Sequence, residues 1–338
     1  MPTSSDYTIS KKCKRQRLEK SSRIAIVGSG LGGLSAAICL EQAGFTNVTV
    51  YEKRQSDQLP PGYGLTLTYN PKGALAQMGL LEEVASRDCP SRSHYMFAKD
   101  GTILGYYGNA FTSDRGIGQR GNLRLPRHEL RDIMVQHVKA SILYGKRLVT
   151  FEPDPLSRDQ SMLVFDDGTT ESGVDLLVGA DGMNSAVLKT LMPNGDDLLS
   201  YLGIFLILGI SDFCHSLLDE RGFYTLDGSH RLFTMPYQGS RIDKKAKRRI
   251  MWQLSFVLKD YQRARTLCSA GPAALQSLVL EIVKTWHDPV AELVRATNID
   301  TIWGTYVSCR CINISSSAGG NNSLSPYVLN LWSQWPHG

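Results

Sequence analysis

The chain has 338 residues, 42% of them hydrophobic and 20% charged, enough for one large globular unit or two closely packed ones. Its formal charge is +5, but residues 1 to 20 hold six basic against two acidic side chains, so four of the five charges lie there and the rest is nearly neutral. That balance argues against a nucleic-acid-binding body.

The first 22 residues, with Lys11, Lys12, Lys14, Arg15, Arg17 and Lys20, are polar, lack an apolar h-region and read as a disordered basic tail. Seven cysteines without a CxxC pair, and no secretory signal, point to reduced thiols and a cytoplasmic location, with a nuclear or organellar address left open by KKCKRQR. No His or Cys cluster has metal-site spacing.

Arg23 to Val27 is a short apolar run ending at Gly28. Leu31 to Ala43 has helical periodicity and stops at Gly44, and Asn47 to Glu52 alternates as a strand, so the opening reads as a βαβ unit. NPKGALAQMGLLEEVA, from Asn70, predicts one helix with Pro71 in its first turn. Two strand-like pieces between Tyr95 and Tyr107 flank a Lys99-Asp100-Gly101 turn, and LPRHELRDIMVQHVKA (125 to 140) predicts an amphipathic helix. Arg147 to Phe151 and Met162 to Phe165 read as strands. LLSYLGIFLILGI (198 to 210) is too short to span a bilayer and reads as one or two buried strands. Residues 200 to 260 are strand-rich, 271 to 296 helical, and the last 28 residues show no periodicity or core face.

Gly28-Ser29-Gly30-Leu31-Gly32-Gly33 is a GxGxxG turn between a strand and a helix, and Glu52 ends the next strand. Gly28 permits the tight turn, Gly30 lets a pyrophosphate approach the backbone, and Gly33 lets helix and strand pack closely. The first N–H groups of the helix lack intrahelical partners and suit a phosphate, and Glu52 suits ribose hydroxyls. The pattern indicates an adenine dinucleotide without naming which; a nicotinamide dinucleotide here would lack a 2′-phosphate.

Three further stretches carry a resemblance. They are Gly62-Tyr63-Gly64-Leu65-Thr66-Leu67 with Asn70-Pro71, Leu75 and Met78-Gly79-Leu80-Leu81; Arg127, Leu130 and Met134 in a helix; and LLVGADGMNSAV, with Asp175, Leu177, Val178, Gly179, Ala180, Asp181, Gly182, Ser185 and Val187 in register. Together with the GxGxxG turn, these resemble the class A FAD-dependent aromatic-ring hydroxylases, of the p-hydroxybenzoate hydroxylase type. The nearest likeness is to salicylate, urate and 3-hydroxybenzoate hydroxylases and zeaxanthin epoxidase.

The resemblance implies an α/β fold: a Rossmann-like (GR2-type) FAD-binding parallel sheet interleaved with a mixed β-sheet substrate domain. It assigns 23–93 and 121–197 to the FAD-binding part and 94–120 and 198–300 to the substrate part. It implies bound FAD, NAD(P)H as co-substrate and O2, with one oxygen atom passing through C4a-hydroperoxyflavin into a small aromatic or isoprenoid-like substrate. Gly28, Gly30, Leu31, Gly32, Gly33, Glu52, Lys53, Arg127, Asp181 and Gly182 are then the expected cofactor-binding residues. No catalytic triad is expected and none is found. Tyr224, Phe233, Met235, Tyr237 and Trp252 are candidate substrate-lining residues, and His94, His128 and His137 read as packing or surface residues. Leu188 stands where the family places an arginine. The likeness runs from Arg23 to Tyr306, and the family's third motif, Gly-Asp-Ala-x-His, does not follow. The chain therefore reads as a C-terminally truncated member with an atypical tail at 307–338. The alternative is a non-catalytic FAD-binding remnant or a gene-model artefact.

Overall fold

The structure is a computed structural model that describes residues 18–56, 62–89, 91, 93–108, 122–157, 159–192, 199–238, 248–310 and 328–330. Most of the basic tail and most of RIDKKAKRRI lie outside the described residues. In chain order, β1 (Ile24–Val27), α1 (Leu31–Gln42), β2 (Val48–Glu52) and β3 (Gly64–Thr68) come first, then α2 (Ala74–Gln77), α3 (Leu81–Ser86), β4 (Ser93–Ala98) and β5 (Ile103–Gly108). β6 (Asn122–Pro126), α4 (Arg127–His137), β7 (Ser141–Tyr144), β8 (Leu148–Pro153), β9 (Ser161–Phe165), β10 (Thr170–Val174) and β11 (Leu176–Gly179) follow. The remainder is α5 (Ala186–Leu191), β12 (Leu199–Ser211), β13 (Arg221–Leu226), β14 (His230–Gln238), β15 (Arg249–Val257), α6 (Tyr261–Cys268), α7 (Pro272–Val283), α8 (Val290–Arg295), β16 (Trp303–Arg310) and β17 (Val328–Asn330).

All four residues of β1 and all four of β11 are buried, the mark of strands covered on both faces. They sit together inside a five-stranded sheet of order β17-β11-β1-β2-β7, in which every pairing is parallel. β1 pairs with β2 on one side and with β11 on the other, so the strand order reverses at β1. Val27 is level with Gly179 and with Tyr51. A reversal of this kind opens a crevice at the carboxyl ends of the strands.

A seven-stranded mixed sheet has the order β16-β12-β15-β14-β13-β4-β5, parallel only where β13 meets β4. α7 and α8 supply Leu275, Val279, Val283, Leu293 and Val294 to the core on one of its faces. β3 and β6 form a two-stranded ladder between the two large sheets, and β8, β9 and β10 form an antiparallel layer. The mixed α/β architecture, with a parallel sheet and a mixed sheet, is the one expected from the motifs.

Three elements differ from the sequence reading, and a fourth is settled between the two forms it left open. The helix predicted from Asn70 is two short helices, because Gly79 takes a left-handed φ of 75° that ends α2. Leu125 and Pro126 finish β6 rather than opening α4, since Pro126 pairs with Gly64. LLSYLGIFLILGI lies almost wholly within one 13-residue strand, β12, whose register shifts between Tyr201 and Phe205 around Gly203 at φ 73°. Within the last 28 residues, which show no periodicity or core face in sequence, Val328–Asn330 adds a strand parallel to β11. Three residues are too few to carry a periodicity, so only their pairing with β11 reveals their place.

Trp252 is fully buried and its indole N–H donates to Thr297 Oγ1 at 2.8 Å, while that hydroxyl donates to Leu293 O. Thr297→Val keeps the shape and strands both partners, so it is expected to cost about 2 kcal/mol. Urea unfolding followed by tryptophan emission checks this; a loss below about 0.5 kcal/mol would contradict the role given to the bond.

Candidate functional site

At the carboxyl ends of β1 and β11, the two glycine turns touch. Gly28 has φ 104°, and a Cβ there would lie 2.4 Å from Ala180 O. A Cβ on Gly33 would lie 1.9 Å from Gly28 O and 3.3 Å from Ala180 Cβ. These glycines are therefore set by backbone packing. Gly30 and Gly32 differ, because a Cβ on either meets nothing within 4 Å. α1 starts after Gly30 without a side-chain cap and without an acidic residue in its first turn, so its leading N–H groups face the opening.

This opening is a cavity of about 380 Å³, lined by Gly28, Gly30, Leu31, Gly32, Glu52, Lys53, Arg127, Asp181 and Gly182. Nine of the ten residues expected from the sequence thus surround one space, and Gly33 lies beneath the turn. Lys53, Arg54, Arg127, Arg131, Lys146 and Arg147 also line it, against the carboxylates Glu52 and Asp181. A body that is nearly neutral overall concentrates its cations here, which suits an anionic ligand.

Two carboxylates define the polar geometry. Glu52, at the end of β2, accepts hydrogen bonds from Ser29 N at 2.9 Å and Ser29 Oγ at 3.0 Å through Oε2, and from Arg54 N at 3.0 Å through Oε1. Much of its capacity is spent on the turn itself. Asp181 Oδ2 accepts from Ala186 N at 2.6 Å and Val187 N at 3.3 Å, while Oδ1 is buried with no partner. A buried carboxylate oxygen of this kind calls for a donor from a ligand.

Sequence reasoning missed Arg131. From α4 its Nε donates to Ser29 O at 3.1 Å and its Nη2 to Ser29 Oγ at 3.0 Å, and it is nearly buried. The helical pattern hid a signal here: Arg131 follows Arg127 by four residues, on the same face of α4. Leu188, in the position of the family's arginine, is buried in α5.

A second cavity, also of about 380 Å³, lies between the mixed sheet and the β3–β6 ladder. Arg127 joins the two: it lines the first, and its N–H donates to the carbonyl of Tyr63, which lines the second. Tyr224, Phe233 and Met235 line this second cavity as expected, but Trp252 does not. Strand residues alternate faces, so Met251 and Gln253 look into the cavity while Trp252 enters the helix-backed core. Tyr237 is likewise absent from the lining and packs against Met235 and Met251, its hydroxyl donating to Gly62 O at 3.4 Å.

His94, read from sequence as a packing or surface residue, is 1% exposed on β4 and lines the second cavity. Burial, and then the charge of Arg124, push its pKa down to about 4. The unfolded chain would bind this proton near pH 6.5, so the native state holds fewer protons between pH 6.5 and 4. Stability is therefore expected to fall as pH falls through that window, by about 3 kcal/mol in total. Melting curves across it, compared with His94→Phe, test this; parallel curves for the two proteins would remove His94 as the cause.

Residues 21–219 match a family described as an FAD binding domain. The chain belongs to that family. Among similar proteins, it is 34% identical over 185 residues to 6-methylsalicylate 1-monooxygenase of Aspergillus terreus, covering 50% of this chain and 39% of that protein. It is 26% identical over 292 residues to the chloroplastic zeaxanthin epoxidase of Spinacia oleracea, covering 84% and 40%. The matches thus span less than half of either relative. Among solved structures, a Klebsiella pneumoniae HpxO variant complexed with FAD superposes with a TM-score of 0.71 at 20% identity, over 92% of this chain and 73% of that one. The 2,6-dihydroxypyridine-3-hydroxylase of Arthrobacter nicotinovorans gives 0.71 at 19%, over 92% and 76%. At these identities the superpositions speak to the fold, a Rossmann-type FAD fold. FAD is the cofactor of the FAD-binding domain family, and the residues fit it: a cationic rim, open space over Gly30, uncapped N–H groups and an orphaned Asp181 oxygen. Among the described residues, no helix is long and apolar enough to cross a membrane.

Proposed function

We propose that the protein is an FAD-dependent monooxygenase that uses NAD(P)H and O2 to insert one oxygen atom into a small aromatic or isoprenoid-like substrate. The observation that carries this reading is that one backbone hydrogen bond, from Arg127 N–H to Tyr63 O, ties the wall of a cationic cavity to the wall of a largely aromatic and aliphatic one. FAD, when bound, supplies the hydride acceptance and oxygen activation that no side chain here offers. Gly28, Gly30, Leu31, Gly32 and the start of α1 receive its pyrophosphate, with Gly33 allowing their close approach. Glu52 takes ribose hydroxyls, Asp181 offers Oδ1 beside Gly182, and Lys53 and Arg127 balance negative charge.

In the second cavity, Leu206, Leu208, Phe233, Met235 and Met251 hold the substrate against apolar walls that limit the entry of water. The relatives' names, which include a methylsalicylate monooxygenase and a zeaxanthin epoxidase, support both substrate classes. The near-neutral body supports a role without nucleic acid, and the five described free cysteines support a cytoplasmic location.

Purifying the full chain with added FAD and recording the visible spectrum tests the proposal. Flavin bands that NAD(P)H bleaches, with label from isotopic O2 appearing in product, are the expected result. Bands that NAD(P)H does not bleach would reduce the reading to a non-catalytic flavin-binding protein. A protein that takes up no flavin would overturn it.

A further inference from the structure

Both ring nitrogens of His94 are buried and neither meets a partner in full hydrogen-bond geometry, only the Thr234 backbone lying near enough to favour a proton on the ring, although nearly all buried polar groups in folded proteins have a partner. The imidazole packs near-parallel to two rings, Tyr107 at 5.0 Å and 3° and Phe233 at 5.8 Å and 15°. Its Nε2 edge backs onto β13: a Cβ built on Gly222 would lie 2.5 Å from Nε2 and 2.3 Å from Thr234 O. That shared neighbourhood favours the proton on Nε2 and leaves Nδ1 as the acceptor. The ring is therefore fixed by two aromatic neighbours and on one edge, in the wall of a cavity also lined by Leu206, Leu208, Met235 and Met251.

We propose that His94 is a specificity-determining residue of this cavity, its neutral imidazole accepting a hydrogen bond from a phenolic O–H or ring N–H of a planar aromatic ligand. This rests on the second cavity being the substrate site. Because burial and the nearby Arg124 guanidinium oppose a proton on the ring, the acceptor persists throughout the neutral range. A site built to pair with a donor rejects an analogue that lacks one, because the buried nitrogen then stays unpaired.

The test uses the full chain, with and without FAD, and three matched pairs: phenol and toluene, 2-naphthol and 2-methylnaphthalene, 4-hydroxyquinoline and 4-methylquinoline. Trp303 lines the cavity, so its emission reports binding. The donor-bearing member of at least one pair is expected to bind about tenfold tighter or more than its methyl counterpart. In His94→Phe that preference falls to within about twofold, while the melting temperature is unchanged or higher, since an unpaired polar group has been removed. His94→Gln, which retains a donor and an acceptor, restores part of the preference. No preference in the wild-type protein, no saturable binding of any probe up to about 5 mM, or a preference that survives in His94→Phe would each overturn the proposal. FAD uptake and NAD(P)H bleaching are measured alongside. Absence of the preference in the wild-type protein, or its survival in His94→Phe, with flavin chemistry intact fails His94 alone; a preference without flavin uptake fails the oxygenase reading alone.

Discussion

Gly33→Ala is expected to lower stability by about 3 kcal/mol and to abolish FAD binding with it. The new Cβ would sit 1.9 Å from Gly28 O, a backbone atom that cannot swing aside, and 3.3 Å from Ala180 Cβ. α1 must therefore move off β1, and the start of the helix moves away from the turn it serves. The neighbouring Gly32→Ala has the opposite sign. It lies in the same helix with nothing within 4 Å, so alanine's helix propensity gives a gain of about 0.5–1 kcal/mol. Gly30→Ala separates the two effects: stability is held, because its Cβ meets no protein atom, while FAD affinity drops because the space for the pyrophosphate is filled. Urea melts and FAD titrations of the three variants check this ordering. Equal stabilities for Gly32→Ala and Gly33→Ala would show that the contact at Gly28 does not govern the fold.

Arg131→Met is the second large effect, expected to cost about 3 kcal/mol and to weaken FAD binding by about tenfold or more. Methionine keeps the apolar stem but removes the donors to Ser29 O and Ser29 Oγ. Ser29 is also the residue whose N–H and hydroxyl bond to Glu52, so one guanidinium braces both the turn and the acid beside it. Arg131→Lys should recover only part of the loss, since a point cation cannot reproduce two donors in a fixed fork. An Arg131→Met protein that binds FAD as tightly as the wild type would refute the bracing role.

The legible parts of the fold were those written into neighbouring residues. β1, the GxGxxG turn, α1 and β2 form one local unit, and the turn's glycines and Glu52 are spaced by that unit alone. LLVGADG was legible as a strand and turn, and its likeness to a family motif sent it back to the first sheet. The faces of the mixed sheet were less clear. Aromatic residues enter strands whichever side they face, so composition alone did not separate Trp252 from Tyr224. The three-residue strand β17 had no pattern of its own.

Sequence by itself determined the βαβ opening and the two glycine turns, because these depend on short-range order and backbone freedom at glycine, and the likeness of its motifs to a known family added the FAD-binding α/β architecture. Only the tertiary structure decided that Gly28 and Gly33 are held by contact whereas Gly30 faces open space. It alone brought Arg131 onto Ser29 across about a hundred residues and buried both nitrogens of His94 beside a second cavity. Those facts come from contacts between segments far apart in the chain, where burial and hydrogen bonding, rather than local propensity, assign a residue its role.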